Sequence, residues 1–231
     1  MNLPKTALLI IGSPRCEKSN SEAIGTYLME KLAEKGVQWE TAYTYRLTKS
    51  AEKQEQFLDA VDRADILVLA SPLYIDSIPS YTIKAMESVN ERRKSQNDAR
   101  TQSLFVIINC GFPEASQNKV ALLIYRQFAR ELDIEWAGGA MIGWGMAIGS
   151  RPLKDIGGMV RNLKKGLDLA ADALVEHKSV PEEVETLTSK PFLPIFLVKF
   201  LTVRFGKFFW NKEAKKNEAT KHMYDRPYQE G

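Results

Sequence analysis

TALLII (6–11) runs straight into GSPRCEKSNS (12–21), and this junction decides the fold. The first stretch is apolar without period-two alternation, the pattern of a strand buried on both faces in a parallel sheet covered by helices. A plain strand-to-helix turn needs about two to six residues and no special chemistry. Here the chain leaves through glycine, proline and a cluster of short hydroxylated residues, with Arg15 and Lys18 as the cations.

The same strand character recurs in ADILVLA (64–70) and LFVIIN (104–109). VQWETAYTYRL (37–47) alternates and predicts a strand nearer the sheet edge, and IEWAGGAMIG (134–143) a fifth. Helical patterns fall between them, over 21–36, 52–65, 78–93 and 118–133, with a closing helix over 155–178. In the first of these Ile24, Leu28 and Leu32 form one stripe, and Gly36 is a suitable residue just past the helix end. Alternating strands and helices with right-handed crossovers predict an α/β three-layer sandwich, a doubly wound five-stranded parallel sheet of order 2-1-3-4-5. Its ligand site is expected at the carboxyl ends of strands one and three. The domain is expected over 1–180, with a helical C-terminal extension over 181–231.

With 231 residues, 44% hydrophobic and 26% charged, the composition is globular. A net charge of +3 without a long basic block argues against a nucleic-acid partner. Cys16 and Cys110 lie far apart, and His177 and His222 have no ligand cluster beside them, so neither a disulfide framework nor a metal site is expected. The amino terminus enters a strand after one lysine, which predicts no leader and a cytoplasmic location.

Three loops are expected on the carboxyl edge: 12–21, SPLYIDSIPS (71–80) and NCGFPEASQN (109–118). None carries the acid cluster of a phosphoryl-accepting receiver, and there is no GKS/T ending or GxGxxG. The first loop offers Ser13, Ser19 and Ser21 hydroxyls, the Arg15 fork and the free N–H groups of a helix start, which suits a terminal phosphate. Equally, Ser19 or Asn20 would serve as a plain helix cap. In the second loop Pro72 stiffens the exit and Tyr74 either faces the cleft or packs beneath it, while Pro79 suits the start of the next helix. In the third, Gly111 allows close backbone approach, Asn109 can donate and accept, and Cys110 is either a reactive thiol or a packing residue.

The combination GSPR…S.S, SPLY…P…K and NCGFPE, in that order over about residues 5–178, resembles the NAD(P)H-dependent FMN reductases of the flavodoxin-like superfamily. It lacks the compact cysteine cluster of members fused to an iron-sulfur centre. The resemblance implies a flavodoxin-like sandwich and FMN as cofactor, with NADH or NADPH as co-substrate. Ser13, Arg15, Ser19, Asn20 and Ser21 would meet its phosphate, and Pro72, Leu73, Tyr74 and Ile75 its ring. Asn109, Cys110, Gly111 and Glu114 would follow on the pyrimidine side. The implied reaction is ping-pong: hydride passes from a nicotinamide to FMN, then electrons to a second small-molecule acceptor, with no catalytic acid or base. Trp144 and Met146 either bound the substrate space or pack the loop. The alternatives are a flavin-binding electron carrier or redox sensor without turnover, and a phosphate-ligand binder without flavin.

Residues 192–210 predict an amphipathic helix, with Leu197, Val198, Leu201, Phe205, Phe208 and Phe209 on one side and Lys199, Thr202 and Lys207 on another. It would dock on its own domain, form a homodimer interface, which the resemblance favours, or make peripheral membrane contact.

Overall fold

The computed structural model describes residues 6–96 and 101–225. Five strands, β1 (Thr6–Ile11), β2 (Gln38–Tyr43), β3 (Ile66–Pro72), β4 (Ser103–Asn109) and β5 (Glu135–Ile142), form one sheet. All neighbours are parallel and the order is β2-β1-β3-β4-β5, the doubly wound order expected from the sequence. The helices are α1 (Asn20–Ala33), the single turn α2 (Thr44–Leu47), α3 (Ala51–Arg63), α4 (Ser80–Gln96), α5 (Lys119–Glu131), α6 (Arg161–Val175), α7 (Glu182–Thr188) and α8 (Ile195–Lys216).

Strand side chains alternate between two helical layers, which explains why the apolar runs are unbroken. Leu9, Ile11, Val68, Ala70, Phe105 and Ile107 pack against Ile24, Leu28 and Leu32 of α1 and Leu163 and Leu167 of α6. Leu8, Ile10, Leu67, Leu69, Val106 and Ile108 face Phe57 and Val61 of α3, Val89 of α4 and Ala121 and Tyr125 of α5.

Three sequence boundaries shift. The edge strand ends at Tyr43 instead of residue 47, because Thr44 turns inward, bonding Ile11 O and the Thr82 hydroxyl, and starts α2. The closing helix begins at Arg161, not 155; 153–155 and 158–160 form short 3-10 turns separated by Ile156 and Gly157. The C-terminal helix begins at Ile195, after Pro194, and continues to Lys216.

The chain divides into two compact units, 1–192 and 193–231, with α7 in the first. The reason lies at β5. Gly138 has φ +135° at a register irregularity opposite Leu104 and Phe105, and Val180 N donates to Ala137 O at 2.7 Å. A Cβ on Gly138 would lie 2.3 Å from Val180 Cγ2, so only glycine lets the segment after α6 seat there. That seating delivers α7 onto α6, where buried Val184 joins the core. The outer ends of the two expected segments, 1–5 and 226–231, lie outside the described residues.

Among the described residues four buried side-chain atoms, Gln102 Oε1, Ser103 Oγ, Asn118 Oδ1 and the hydroxyl of fully buried Tyr125, have no partner at ordinary hydrogen-bond distance. Burial pushes this phenol's pKa up, against a smaller opposing effect of the nearby Ser71 side chain, so it stays neutral. Removing an unbonded buried hydroxyl is nearly neutral or stabilising. Tyr125→Phe is expected to keep or raise stability, by up to about 1 kcal/mol in urea unfolding. A loss of that size would mean the hydroxyl is bonded after all.

Candidate functional site

The ends of β1, β3, β4 and β5 bring their loops to one edge, and the sheet's crossover between β1 and β3 opens there. Hydrogen bonds join these loops directly. Asn109 Nδ2 donates to Ser21 Oγ at 2.8 Å and to Ser71 O at 3.2 Å, and Leu73 N donates to Asn109 O at 2.9 Å. The loop after β5 closes on the same group: Gly145 N donates to Cys110 O, and Ser150 N to Asn20 Oδ1, each at 2.8 Å.

In the first loop, Ser19 caps α1, its Oγ accepting from Glu22 N at 3.1 Å. The helix-capping role anticipated from sequence is therefore real for Ser19, while Asn20 caps the Ser150 turn instead. Ser13 is buried and accepts from Arg15 N at 3.3 Å; the Arg15 side chain is exposed. Ser21 is buried against Asn109. What the loop still offers an anion is the hydroxyl protons, the Arg15 guanidinium and the N–H groups that the first turn of any helix leaves free. Glu17 is occupied by an ion pair with Arg46, whose guanidinium stacks 4.5 Å from the Tyr43 ring centroid. A cleft of about 240 Å³ beside the loop is lined by Glu17, Glu22 and Glu30 together with Lys154, which pairs with Glu30.

The second loop is a tight turn closed by reciprocal backbone bonds between Tyr74 and Ser77 at 2.9 and 3.0 Å. Ile75 and Asp76 have φ +48° and +55°, a type I′ pattern that favours Asn-Gly. Ile75 is 99% exposed and Tyr74 42%, so Tyr74 is not core packing. Burial raises the Tyr74 pKa, partly offset by the Arg15 charge, which puts the first and second loops within electrostatic reach. Pro72 ends β3 and pairs in register with Asn109.

The third loop buries Cys110, with Asn118 Nδ2 3.5 Å from its sulfur. Burial pushes its thiol pKa up, and burial does the same for Cys16 against the opposing Arg46 charge. Burial and a raised pKa both disfavour the thiolate, which favours packing over reactivity for these two residues. Gly111 is exposed and a Cβ there would meet nothing within 4 Å; Glu114 leads into the 3-10 turn at 115–118. Phe112 and Met146 are exposed beside the loop ends, whereas Trp144 is half-buried with φ +53° and donates through its N–H to Phe112 O at 2.6 Å.

Among the described residues, eight non-glycine positions have positive φ, and five of them, Cys16, Ile75, Asp76, Trp144 and Ser150, lie on these loops. Such strain collects where a structure holds a loop for a purpose other than its own stability. At Ile75 the cost is plain, because a β-branched side chain is disfavoured in that region and packs on nothing. Ile75→Asn is expected to stabilise the fold by about 1 kcal/mol, read from the urea midpoint. An unchanged or lower midpoint would show the turn to be unstrained.

The sequence reading passed over Ser150, Gly143 and the backbone carbonyl of Ser71. Ser150 and Ser71 act through contacts with residues far off in the chain, and no local pattern marks such pairings. Gly143 carried one legible signal, a glycine directly after a strand.

Comparison with known proteins bears on the fold. The sequence finds no match among curated proteins. An NADH:FMN oxidoreductase in its apo form is similar in structure, with a TM-score of 0.55 and 15% identity over 82% of this chain and 96% of its own. An FMN-dependent NADH-azoreductase from Bacillus anthracis in complex with FMN gives 0.52 and 15% over 74% and 100%. An NAD(P)H:quinone oxidoreductase from Methanothermobacter marburgensis gives 0.52 and 14% over 76% and 96%. The model of the Flavodoxin_2 family, described as having the flavodoxin-like fold, matches residues 5–130, more than half of the chain. With the strand order already established, the chain belongs to the Flavodoxin_2 family of flavodoxin-like proteins.

Proposed function

We propose that the α/β unit binds FMN at this edge and acts as an NAD(P)H-dependent oxidoreductase. The observation that carries the reading is the Asn109 amide, whose two donors hold the first and second loops side by side. The residues fit the group. At one end of the edge stand the buried Ser13 hydroxyl, the Arg15 fork and the start of α1, with the donors a phosphate needs. On the same edge Tyr74, Ile75, Phe112 and Met146 expose apolar surface suited to a flat ring. The family assignment and the names of the similar structures, two of which mention FMN, support the same reading.

Bound FMN would supply hydride chemistry, taking two electrons from NADH or NADPH and passing them to a second small acceptor in ping-pong order. The protein's part is binding and electrostatics. Arg15 and the hydroxyls of Ser13, Ser19 and Ser21 meet the phosphate. Pro72, Leu73, Tyr74 and Ile75 present the ring-facing ledge. Asn109 fixes the loops, Cys110 braces the third through its N–H bond to Ile142 O at 3.0 Å, and Gly111 and Glu114 would supply backbone at its far side, where N–H groups stabilise negative charge without reorganising. Asn20 acts one step away, by fixing the Ser150 turn.

Purified protein is expected to be yellow, or to become so with FMN, and to bleach on anaerobic addition of NADH or NADPH. A yellow protein that neither nucleotide bleaches would be an electron carrier, and one that cannot take up FMN would overturn the proposal. Arg15→Ala is expected to weaken FMN affinity by about 2 kcal/mol, since it removes a charge-assisted contact without touching the core. Equal affinity in a fluorescence titration would remove Arg15 from the site.

A further inference from the structure

The second unit carries a chemistry that the first does not use. Over 195–216, α8 holds six cations, Lys199, Arg204, Lys207, Lys212, Lys215 and Lys216, against the single acid Glu213. The whole chain has a net charge of only +3, so the remainder is slightly acidic and positive charge is concentrated in this helix. The same stretch holds five of the ten phenylalanines. Phe196, Phe200, Phe205, Phe208, Phe209 and Trp210 are each more than half exposed. Aromatic exposure on this scale marks an interaction surface.

The two properties are arranged in sequence along the helix. Apolar residues dominate 195–210, and Lys212, Lys215 and Lys216 follow in the last turns, with Trp210 at the junction. An indole prefers such a boundary, apolar on one side and wet on the other. Arg204 and Lys207, within the apolar part, have stems long enough to lift their charges toward water. No helix among the described residues is long and apolar enough to cross a membrane. The side chains of Val198, Lys199, Leu201 and Thr202, which the sequence placed on opposite sides, lie outside what is described. Charge complementarity selects the occupant. A second copy of α8 would oppose cations to cations, whereas an anionic surface neutralises them while its acyl boundary receives the phenyl groups.

We propose that α8 docks on anionic lipid bilayers, its aromatic residues at the headgroup–acyl boundary and its lysines against lipid phosphates. The test uses the full chain with vesicles of phosphatidylcholine alone or mixed with phosphatidylglycerol. Co-sedimentation is expected with the anionic vesicles, much weaker with neutral ones, and lost as salt is raised. Each of Lys207→Gln, Lys212→Gln, Lys215→Gln and Lys216→Gln is expected to weaken that binding about fivefold, the contribution of one cation near an anionic surface. The blue shift in emission on vesicle addition is expected to vanish in Trp210→Phe. FMN uptake by each variant checks the first unit separately, and vesicle binding does not depend on that cofactor being correct. No association with anionic vesicles overturns the proposal, as does equal association by the glutamine variants. So does a lipid-free dimer that falls apart in Phe208→Ser and binds no vesicle, which would give the surface to a second copy.

Discussion

Gly143→Ala is expected to cost about 3 kcal/mol of stability, although it adds one methyl group. A Cβ at this position would stand 2.3 Å from Pro113 O and 2.9 Å from Pro113 C. Those are backbone atoms, so no side chain can rotate away and the two loops themselves must part. Parting them stretches the 2.6 Å bond from Trp144 N to Phe112 O and unloads the left-handed turn at Trp144. The turn also carries Gly145, whose N–H holds Cys110 O, so displacement reaches the third loop of the site. Urea unfolding is expected to show a lower midpoint with an unchanged slope, together with weaker FMN uptake. A variant as stable as the parent would mean that the loops separate freely and that the third loop is not held from β5.

Asn109→Ala is expected to cost a similar amount, about 3 kcal/mol, by another route. Asn109 is buried and spends both amide hydrogens, one on Ser21 Oγ and one on Ser71 O. Alanine leaves a buried carbonyl without that donor, loosens a buried hydroxyl and opens a void. Ser21→Ala removes one of the two bonds and is expected to cost less than half as much. FMN affinity is expected to fall further in Asn109→Ala than in Ser21→Ala, because only the former unties the second loop. Equal effects of the two changes on stability and affinity would reject Asn109 as the tie between loops.

These expectations depend on different amounts of prior legibility. The strands at TALLII, ADILVLA and LFVIIN could be read because a strand buried on both faces has an unbroken apolar run, and the alternating order followed from chain connectivity. The loops' positions on one edge followed from that topology. Their internal workings did not. Ser19 was legible as a cap from its type, but that Ser21 faces Asn109, a bond across 88 residues, required the fold. Tyr74 had two readings, and only the type I′ turn at Ile75 and Asp76, the first a β-branched residue with no propensity for it, turned it outward.

The sequence by itself determined which segments form the sheet, their order in it and which three loops gather at its open edge, because hydrophobic periodicity and crossover handedness are local or topological rules. Tertiary structure alone decided how those loops are fastened, that both thiols are sealed in the interior and that residues 181–192 join the first unit through Val180 and Gly138. The reason is physical: such outcomes depend on atoms of distant residues meeting within hydrogen-bond or van der Waals distance, and residue type does not encode that encounter.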